Sequence, residues 1–235
     1  MTIKAMRTFV IGDIHGAHKA LLQCFERSNF DYDNDRLIAL GDVCDGWPEV
    51  RQSIDELLKI KNLIYIVGNH DLWTLNWALN GTREKDWLDQ GGLNTLKSYG
   101  DGPMPESHKN FLNNARWFWE EDKRLFVHAG FDPALTMEKQ DKDVLVWDRE
   151  LVKFAYQINF MKPEHRVGNY EEVFLGHTTT QVFRTLKPLK LCNIWMLDTG
   201  AGWSGPLTIM DVQTKQFWQS DLTPTLYRGI SGRKS

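Results

Sequence analysis

Thr8-Phe9-Val10-Ile11-Gly12-Asp13-Ile14-His15-Gly16 sets a pattern that recurs twice in the first 71 residues. It returns in Leu37-Ile38-Ala39-Leu40-Gly41-Asp42-Val43-Cys44-Asp45-Gly46, and again in Leu63-Ile64-Tyr65-Ile66-Val67-Gly68-Asn69-His70-Asp71. Each is a short apolar run, as expected of a strand covered on both faces, that breaks at glycine into a polar cluster. Residues 17–27 and 49–60 lie between the runs and space their apolar positions as helices do, with Pro48 suited to a first helical turn. The pattern is β-α-β-α-β, so it predicts a parallel sheet with right-handed crossovers. Its polar clusters then fall together outside the carboxyl ends of the strands, where open α/β sheets bind ligands.

Two further clusters follow similar runs: His128-Ala129-Gly130 and Gly176-His177-Thr178. Residues 71–120 read as a tryptophan-rich helical insertion broken at Gly91-Gly92 and at Gly100-Asp101-Gly102-Pro103. Short runs at 125–128, 173–176, 195–198, 207–212 and 216–220 restore a strand pattern, the last two as a hairpin. The tail 227–235 is expected to fray.

Composition narrows the function. The 235 residues are 42% hydrophobic and 25% charged, ordinary values for a globular protein. A formal net charge of −3 leaves no strong nucleic-acid or anionic-membrane signature. No run approaches the ~18 apolar residues of a membrane span, and the N-terminal segment runs straight into a strand rather than a secretory leader. Three cysteines without a Cys-x-x-Cys pair argue against a disulfide framework and suit a reducing, cytoplasmic setting. P-loop and dinucleotide fingerprints are absent, and Cys44 and Arg51 do not fit a thiolate-phosphatase loop.

The clusters themselves offer metal-binding chemistry. Asp13 and His15 alternate at a strand end, so one carboxylate and one imidazole reach the same ion. Asp42 follows one crossover later, where a carboxylate bridges two ions. Asn69 adds an amide oxygen, and His128 and His177 add imidazoles. This nitrogen–oxygen set without thiolate favours manganese, iron or zinc. Two such ions about 3.5–4 Å apart activate a water and polarise a phosphoryl group, so the chemistry points to phosphate-ester hydrolysis.

In order, spacing and flanking glycines these residues resemble the metallophosphoesterase superfamily, more narrowly the PPP-type serine/threonine phosphatases with their bacterial and phage relatives. Trp87-Leu88-Asp89-Gln90-Gly91-Gly92, Val146-Trp147-Asp148-Arg149-Glu150 and Leu197-Asp198-Thr199-Gly200-Ala201 are similar to segments of the small bacterial and phage enzymes. The resemblance implies one calcineurin-like α/β domain over 1–235, a β-sandwich flanked by helices (α/β/β/α) with the insertion at about 71–120. It implies two divalent ions, manganese first with iron or zinc as alternatives. Asp13, His15 and Asp42 hold one; Asp42, Asn69, His128 and His177 hold the other. It makes His70 the general acid, oriented by Asp45, and gives substrate contacts to Asn69 and Arg149. The implied reaction is in-line attack of metal-bound hydroxide on a phosphomonoester, including phosphoserine or phosphothreonine in proteins. A nucleotide hydrolase acting on diadenosine tetraphosphate or a cyclic phosphodiester shares the same residues, and a non-catalytic scaffold is the third reading. The phosphorylated partner is thus a protein or a small molecule.

The sequence departs from the family pattern where Gly46 replaces a phosphate-binding arginine. The expected consequences are weak phosphate affinity, Trp47 exposed for stacking at the rim, and a lower Michaelis constant in Gly46→Arg. Asp71 stands where the eukaryotic enzymes carry Glu, which keeps the nucleotide substrates in play. His18, His108 and His165 read as solvated, and Trp73, Trp77, Trp117 and Trp119 as core.

Overall fold

The computed structural model describes Met6–Arg233. Three cores organise it. One sheet has the order β10-β9-β1-β2-β3, built from β1 (Thr8–Ile11), β2 (Arg36–Ala39), β3 (Asn62–Tyr65), β9 (Thr208–Asp211) and β10 (Phe217–Gln219). The other has the order β4-β5-β6-β8-β7, from β4 (Phe118–Glu121), β5 (Arg124–Val127), β6 (Glu172–Leu175), β7 (Leu189–Leu191) and β8 (Ile194–Met196). The pleat of β1 shows how they stack: Val10 joins Ile38, Phe126, Phe174 and Met210 between the sheets, while Phe9 and Ile11 turn outward. On that outer face lie α1 (His18–Ser28) and α2 (Val50–Leu57), whose Leu21, Phe25, Ile54 and Leu57 complete the core. The other sheet is covered by α7 (Lys142–Trp147) and α8 (Glu150–Asn159) through Leu145, Leu151, Val152 and Ala155. The result is the four-layer α/β/β/α sandwich expected from the sequence.

Strands β1, β2 and β3 pair in parallel, as do β5, β6 and β8. Both parallel sets bring their carboxyl ends to one edge, and every candidate ligand lies just past such an end. The hairpin β9–β10 closes the first sheet in antiparallel register.

Helices α3 (Asn69–Asn80), α4 (Lys85–Trp87), α5 (Leu93–Tyr99) and α6 (Glu106–Asn113) fill the expected insertion. It stops short of 120 because Phe118–Glu121 pairs with β5 as β4. The chain ends with α9 (Thr223–Leu226). Tyr227 is buried and the Arg233 amide donates to the Gly202 carbonyl, while residues 228–231 between them are exposed; Lys234 and Ser235 lie outside the described residues. Among the described residues no helix is long and apolar enough to cross a membrane.

Candidate metal centre

Asp13, His15, Asp42, Asn69, His128 and His177 are all buried, and the strand ends gather them in one place. His15 Nδ1 lies 3.0 Å from the Cys44 carbonyl oxygen and His128 Nδ1 2.7 Å from that of Leu40. A carbonyl only accepts, so each Nδ1 carries a proton and each Nε2 faces inward. His15 Nε2 then lies 3.7 Å, and His128 Nε2 3.4 Å, from Asp42 Oδ2. Asn69 Oδ1 lies 3.1 Å from His128 Nε2. Asp42 Oδ2 and His177 Nε2 are buried without a hydrogen-bond partner. Buried acceptors such as these are costly without a proton or a cation beside them, and a bound metal would satisfy them.

The ligating atoms of Asp42, His128 and His177 lie within 4.8 Å of one another, and so do those of His15, Asp42 and His70. The two groups share Asp42, as a bridging carboxylate requires. Asp13 falls outside both and accepts from the His177 amide at 3.0 Å.

The electrostatics agree. Burial opposes ionisation of Asp42, but His128, His70 and His15 outweigh it and hold the carboxyl well below its usual range. Burial also disfavours a charged His128, yet Asp42 raises its pKa to about 9. His15 and His177 are held neutral, the ligating form of imidazole, chiefly by burial.

His70 stands beside this centre. Its Nδ1 is 2.7 Å from Asp45 Oδ2, its backbone N–H donates to Asp42 Oδ1 at 2.9 Å, and its buried Nε2 is unpartnered. Asp45 is fixed in turn by Trp87 Nε1 at 2.9 Å and Thr95 Oγ1 at 2.6 Å. It does not cap α2, whose N-cap is Glu49. Four residues of the site hold left-handed backbone: His15 (48°), Asp42 (51°), Asp45 (67°) and His177 (58°). Such strain, about 1–2 kcal/mol per non-glycine residue, survives where surrounding structure dictates it.

Asp71 dictates it at Asp42. Its Oδ2 accepts from the amides of Asp42 and Gly68, each at 2.9 Å, and from the Tyr65 hydroxyl at 2.7 Å. Its Oδ1 accepts from Val43 at 3.1 Å and Cys44 at 3.3 Å. Burial and the Asp42 charge push its carboxyl up to about 6 even so. The side chain is spent on the loop and faces no substrate, so the Asp-for-Glu difference carries no substrate information.

Arg149 is exposed and does not pair with Asp148 or Glu150. Its Nη1 donates to the His177 carbonyl at 3.1 Å and reaches the Thr178 hydroxyl at 3.3 Å. Trp147, 41% exposed, stands edge-on to His177 and to Trp73, and Trp73 stands edge-on to His70. Trp73 is therefore a half-buried wall of the site, whereas Trp77 packs on Trp87 and Tyr99 as expected. Trp117 and Trp119 are half-buried, each under a cation, Lys142 and Arg116 respectively.

Other expectations are overturned. Trp47 is buried, stacks on Tyr227 and donates from Nε1 to the Ala201 carbonyl, so it is not a rim residue. His108 is buried between the Tyr99 hydroxyl and Asp55, each at 2.9 Å. His18 and His165 are half-buried, His18 lying 3.5 Å from Glu56. Gly46 has φ +82°, and an added Cβ would lie 2.9 Å from His15 Cβ, so Gly46→Arg strains His15 rather than adding a clamp. Two residues here escaped sequence reasoning. Asp198, buried with an unpartnered Oδ2, lies in the family-like segment Leu197–Ala201, from which no site role was drawn. Arg233 had no local signal, yet its Nη1 lies 3.2 Å from His15 Nε2.

Known proteins resemble this chain in sequence and fold. The sequence model described as Calcineurin-like phosphoesterase matches residues 6–206. A "Bis(5'-nucleosyl)-tetraphosphatase, symmetrical" of Nitrosomonas europaea is 26% identical over 68% of this chain, a match spanning 60% of its own length. A "Serine/threonine-protein phosphatase 1" of Salmonella typhimurium is 24% identical over 87% of this chain and 91% of its own. A solved structure titled as a putative diadenosine tetraphosphatase superimposes with TM-score 0.69 at 16% identity, covering 93% of this chain and 95% of that one.

Proposed function

The chain belongs to the calcineurin-like phosphoesterase family, and on that premise we propose that it is a dinuclear metal-dependent phosphatase acting on phosphomonoesters. The observation that carries this reading is Asp42 Oδ2, buried without a hydrogen-bond partner and faced by the Nε2 atoms of both His15 and His128. Asp13, His15 and Asp42 would hold one ion; Asp42, Asn69, His128 and His177 the other, manganese suiting this donor set with iron or zinc as alternatives. When bound, such ions would lower the pKa of a water and neutralise charge on the phosphoryl oxygens.

The protein supplies the rest. The ester's P–O bond breaks as the water oxygen bonds to phosphorus, and the leaving oxygen takes a proton from His70 Nε2. Asp45 holds the ring by Nδ1 and so aims Nε2 at the leaving oxygen. The start of α3 presents Asn69 and the positive end of the helix to the same centre. Arg149, braced by the His177 carbonyl and Thr178, keeps most of its fork free for a phosphoryl oxygen. Phosphoserine or phosphothreonine is the substrate that the Salmonella relative's name suggests.

A second reading keeps the site and takes a dinucleoside tetraphosphate. Trp147 supports it, as an exposed ring edge-on to His177 where a base could stack, and the name of the Nitrosomonas relative agrees. One panel separates the two: protein with Mn²⁺, Zn²⁺, Mg²⁺ or chelator, given an aryl phosphate, a phosphopeptide, diadenosine tetraphosphate and a 2′,3′-cyclic nucleotide. Turnover of none of them with any metal would remove both readings. Faster hydrolysis of the tetraphosphate, lost in Trp147→Ala, would select the second.

A further inference from the structure

We propose that Arg233, delivered by the C-terminal tail, is the substrate-phosphoryl clamp of this site and fills the space beside Gly46. The inference rests on the phosphatase reading above. Four glycines make room for it. An added Cβ would lie 3.5 Å from the Arg233 side chain at Gly46, 3.4 Å at Gly91 and 3.2 Å at Gly202. At Gly232 it would lie 2.6 Å from the Gly202 carbonyl oxygen and 2.8 Å from the buried Trp47 ring. The tail is therefore threaded between Trp47 and Gly202, and the Arg233 amide donates to the Gly202 carbonyl at 2.8 Å. Trp47 in turn stacks on Tyr227, so the residue after Gly46 anchors the segment that carries the arginine.

The guanidinium is held by neutral neighbours. Nη2 donates to Gln90 Oε1 at 2.9 Å, and the plane lies 4.2 Å from the Trp203 ring centre. Nη1 faces His15 Nε2, and Nε is buried with no partner. Among the described residues no carboxylate pairs with it, though it sits in the field of Asp42, Asp198, Asp45 and Asp13. It lines a cleft of about 550 Å³ with Thr179, Gln181, Trp203 and Ser204. A planar fork whose Nε has no partner and whose Nη1 lies against a proposed metal ligand matches a phosphoryl group in shape and charge. The His15 Nε2 lone pair serves one partner at a time. When it serves a metal, Nη1 needs another acceptor, and the substrate's phosphoryl oxygen provides one.

The test uses the full chain loaded with Mn²⁺. Binding of inorganic phosphate is followed by calorimetry and hydrolysis of an aryl phosphate by steady-state kinetics, for the parent, Arg233→Ala and Arg233→Lys. Expected is a rise of about 10- to 100-fold in the phosphate Kd and in KM for Arg233→Ala, with partial recovery in Arg233→Lys. Added guanidinium should restore phosphate binding to Arg233→Ala, a rescue that a merely structural role would not show. Should the alanine variant melt early, the lysine variant, which keeps the stem on Trp203, decides the case by the same phosphate titration. Unchanged phosphate affinity in a folded variant overturns the proposal. So does tighter phosphate binding or faster turnover in Arg233→Ala, because the tail would then be a plug. A parent that hydrolyses esters while the variants match it sinks the clamp alone; a parent that neither binds phosphate nor hydrolyses any ester sinks the phosphatase reading first.

Discussion

Gly68→Ala alters the candidate centre without touching a ligand. Gly68 has φ −106°, a backbone that alanine adopts freely, so the substitution acts by contact alone. The added Cβ would stand 2.0 Å from Asp42 Oδ1, and real Cβ contacts do not fall below 3.0 Å. The carboxylate must therefore retreat by at least 3.0 − 2.0 = 1.0 Å. Its other oxygen is the one 3.4 Å from His128 Nε2 and 3.7 Å from His15 Nε2, and Oδ1 also accepts from the His70 amide. A 1 Å misplacement of a reacting constellation lowers rates by about 100-fold, so kcat/KM for an aryl phosphate should fall by about that factor. Overpacking costs about 1–3 kcal/mol, and the stiffer unfolded chain offsets about 0.4–1 kcal/mol of it. The net loss of about 0–2.6 kcal/mol lowers Tm by roughly 0–10 °C. Calorimetric titration with Mn²⁺ should show metal affinity reduced by about tenfold or more, because the shared carboxylate is displaced. Gly102→Ala is the control, having no neighbour within 4 Å and no left-handed backbone. If Gly68→Ala keeps both metal affinity and kcat/KM within about threefold of the parent, Asp42 is not the shared ligand.

Two other variants probe separate parts of the molecule. Asp45→Asn keeps the shape of the side chain that holds His70 Nδ1 but removes its charge, a charge-assisted bond worth about 1.5–3 kcal/mol. The loss of kcat should be about 10- to 100-fold on an alkyl phosphate and much smaller on an aryl phosphate, whose leaving group needs little protonation; equal losses on both would mean that His70 is not the acid. Glu172, at the far end of β6, tests pH dependence away from the site. Burial pushes its carboxyl up, but Lys215 at 2.7 Å and Arg124 at 2.8 Å overcome that and hold it below the usual value. Its contribution to stability is present above the unfolded value of about 4.3 and is lost as pH falls through the lower folded value. Melting curves should show the parent ahead of Glu172→Gln at neutral pH and level with it at about pH 3, and a gap that widens on acidification would contradict the assignment.

What the sequence disclosed was local. A β-strand end, its glycine and the next few polar residues are contiguous, so Asp13, His15, Asp42, Asn69, His70, His128 and His177 could be read directly from the chain. The parallel pairing that gathers them follows from the crossovers. What it concealed depends on contacts between distant segments. His108 sits among Ser107 and Lys109 and reads as a surface residue, but the short helix α6 turns it inward between Tyr99 and Asp55. Asp71 reads as part of a ligand cluster, and only the folded loop reveals that its oxygens are taken by backbone amides. Strand β7 has three residues and its exposed Lys190 interrupts the apolar signal.

Gly46 shows why such a departure cannot be interpreted one position at a time. Taken alone, it reads as a lost arginine and predicts a weakened site. In the fold, Gly46, Gly91, Gly202 and Gly232 come from four separate segments and border one side chain or the ring that anchors its tail. A side chain at 46 would press on His15, whereas the Arg233 side chain already lies beside Gly46 with its Nη1 3.2 Å from His15 Nε2. Restoring a side chain at 46 should therefore disturb His15 and evict the tail together. The glycine is half of a matched pair, and its other half lies at the far end of the chain.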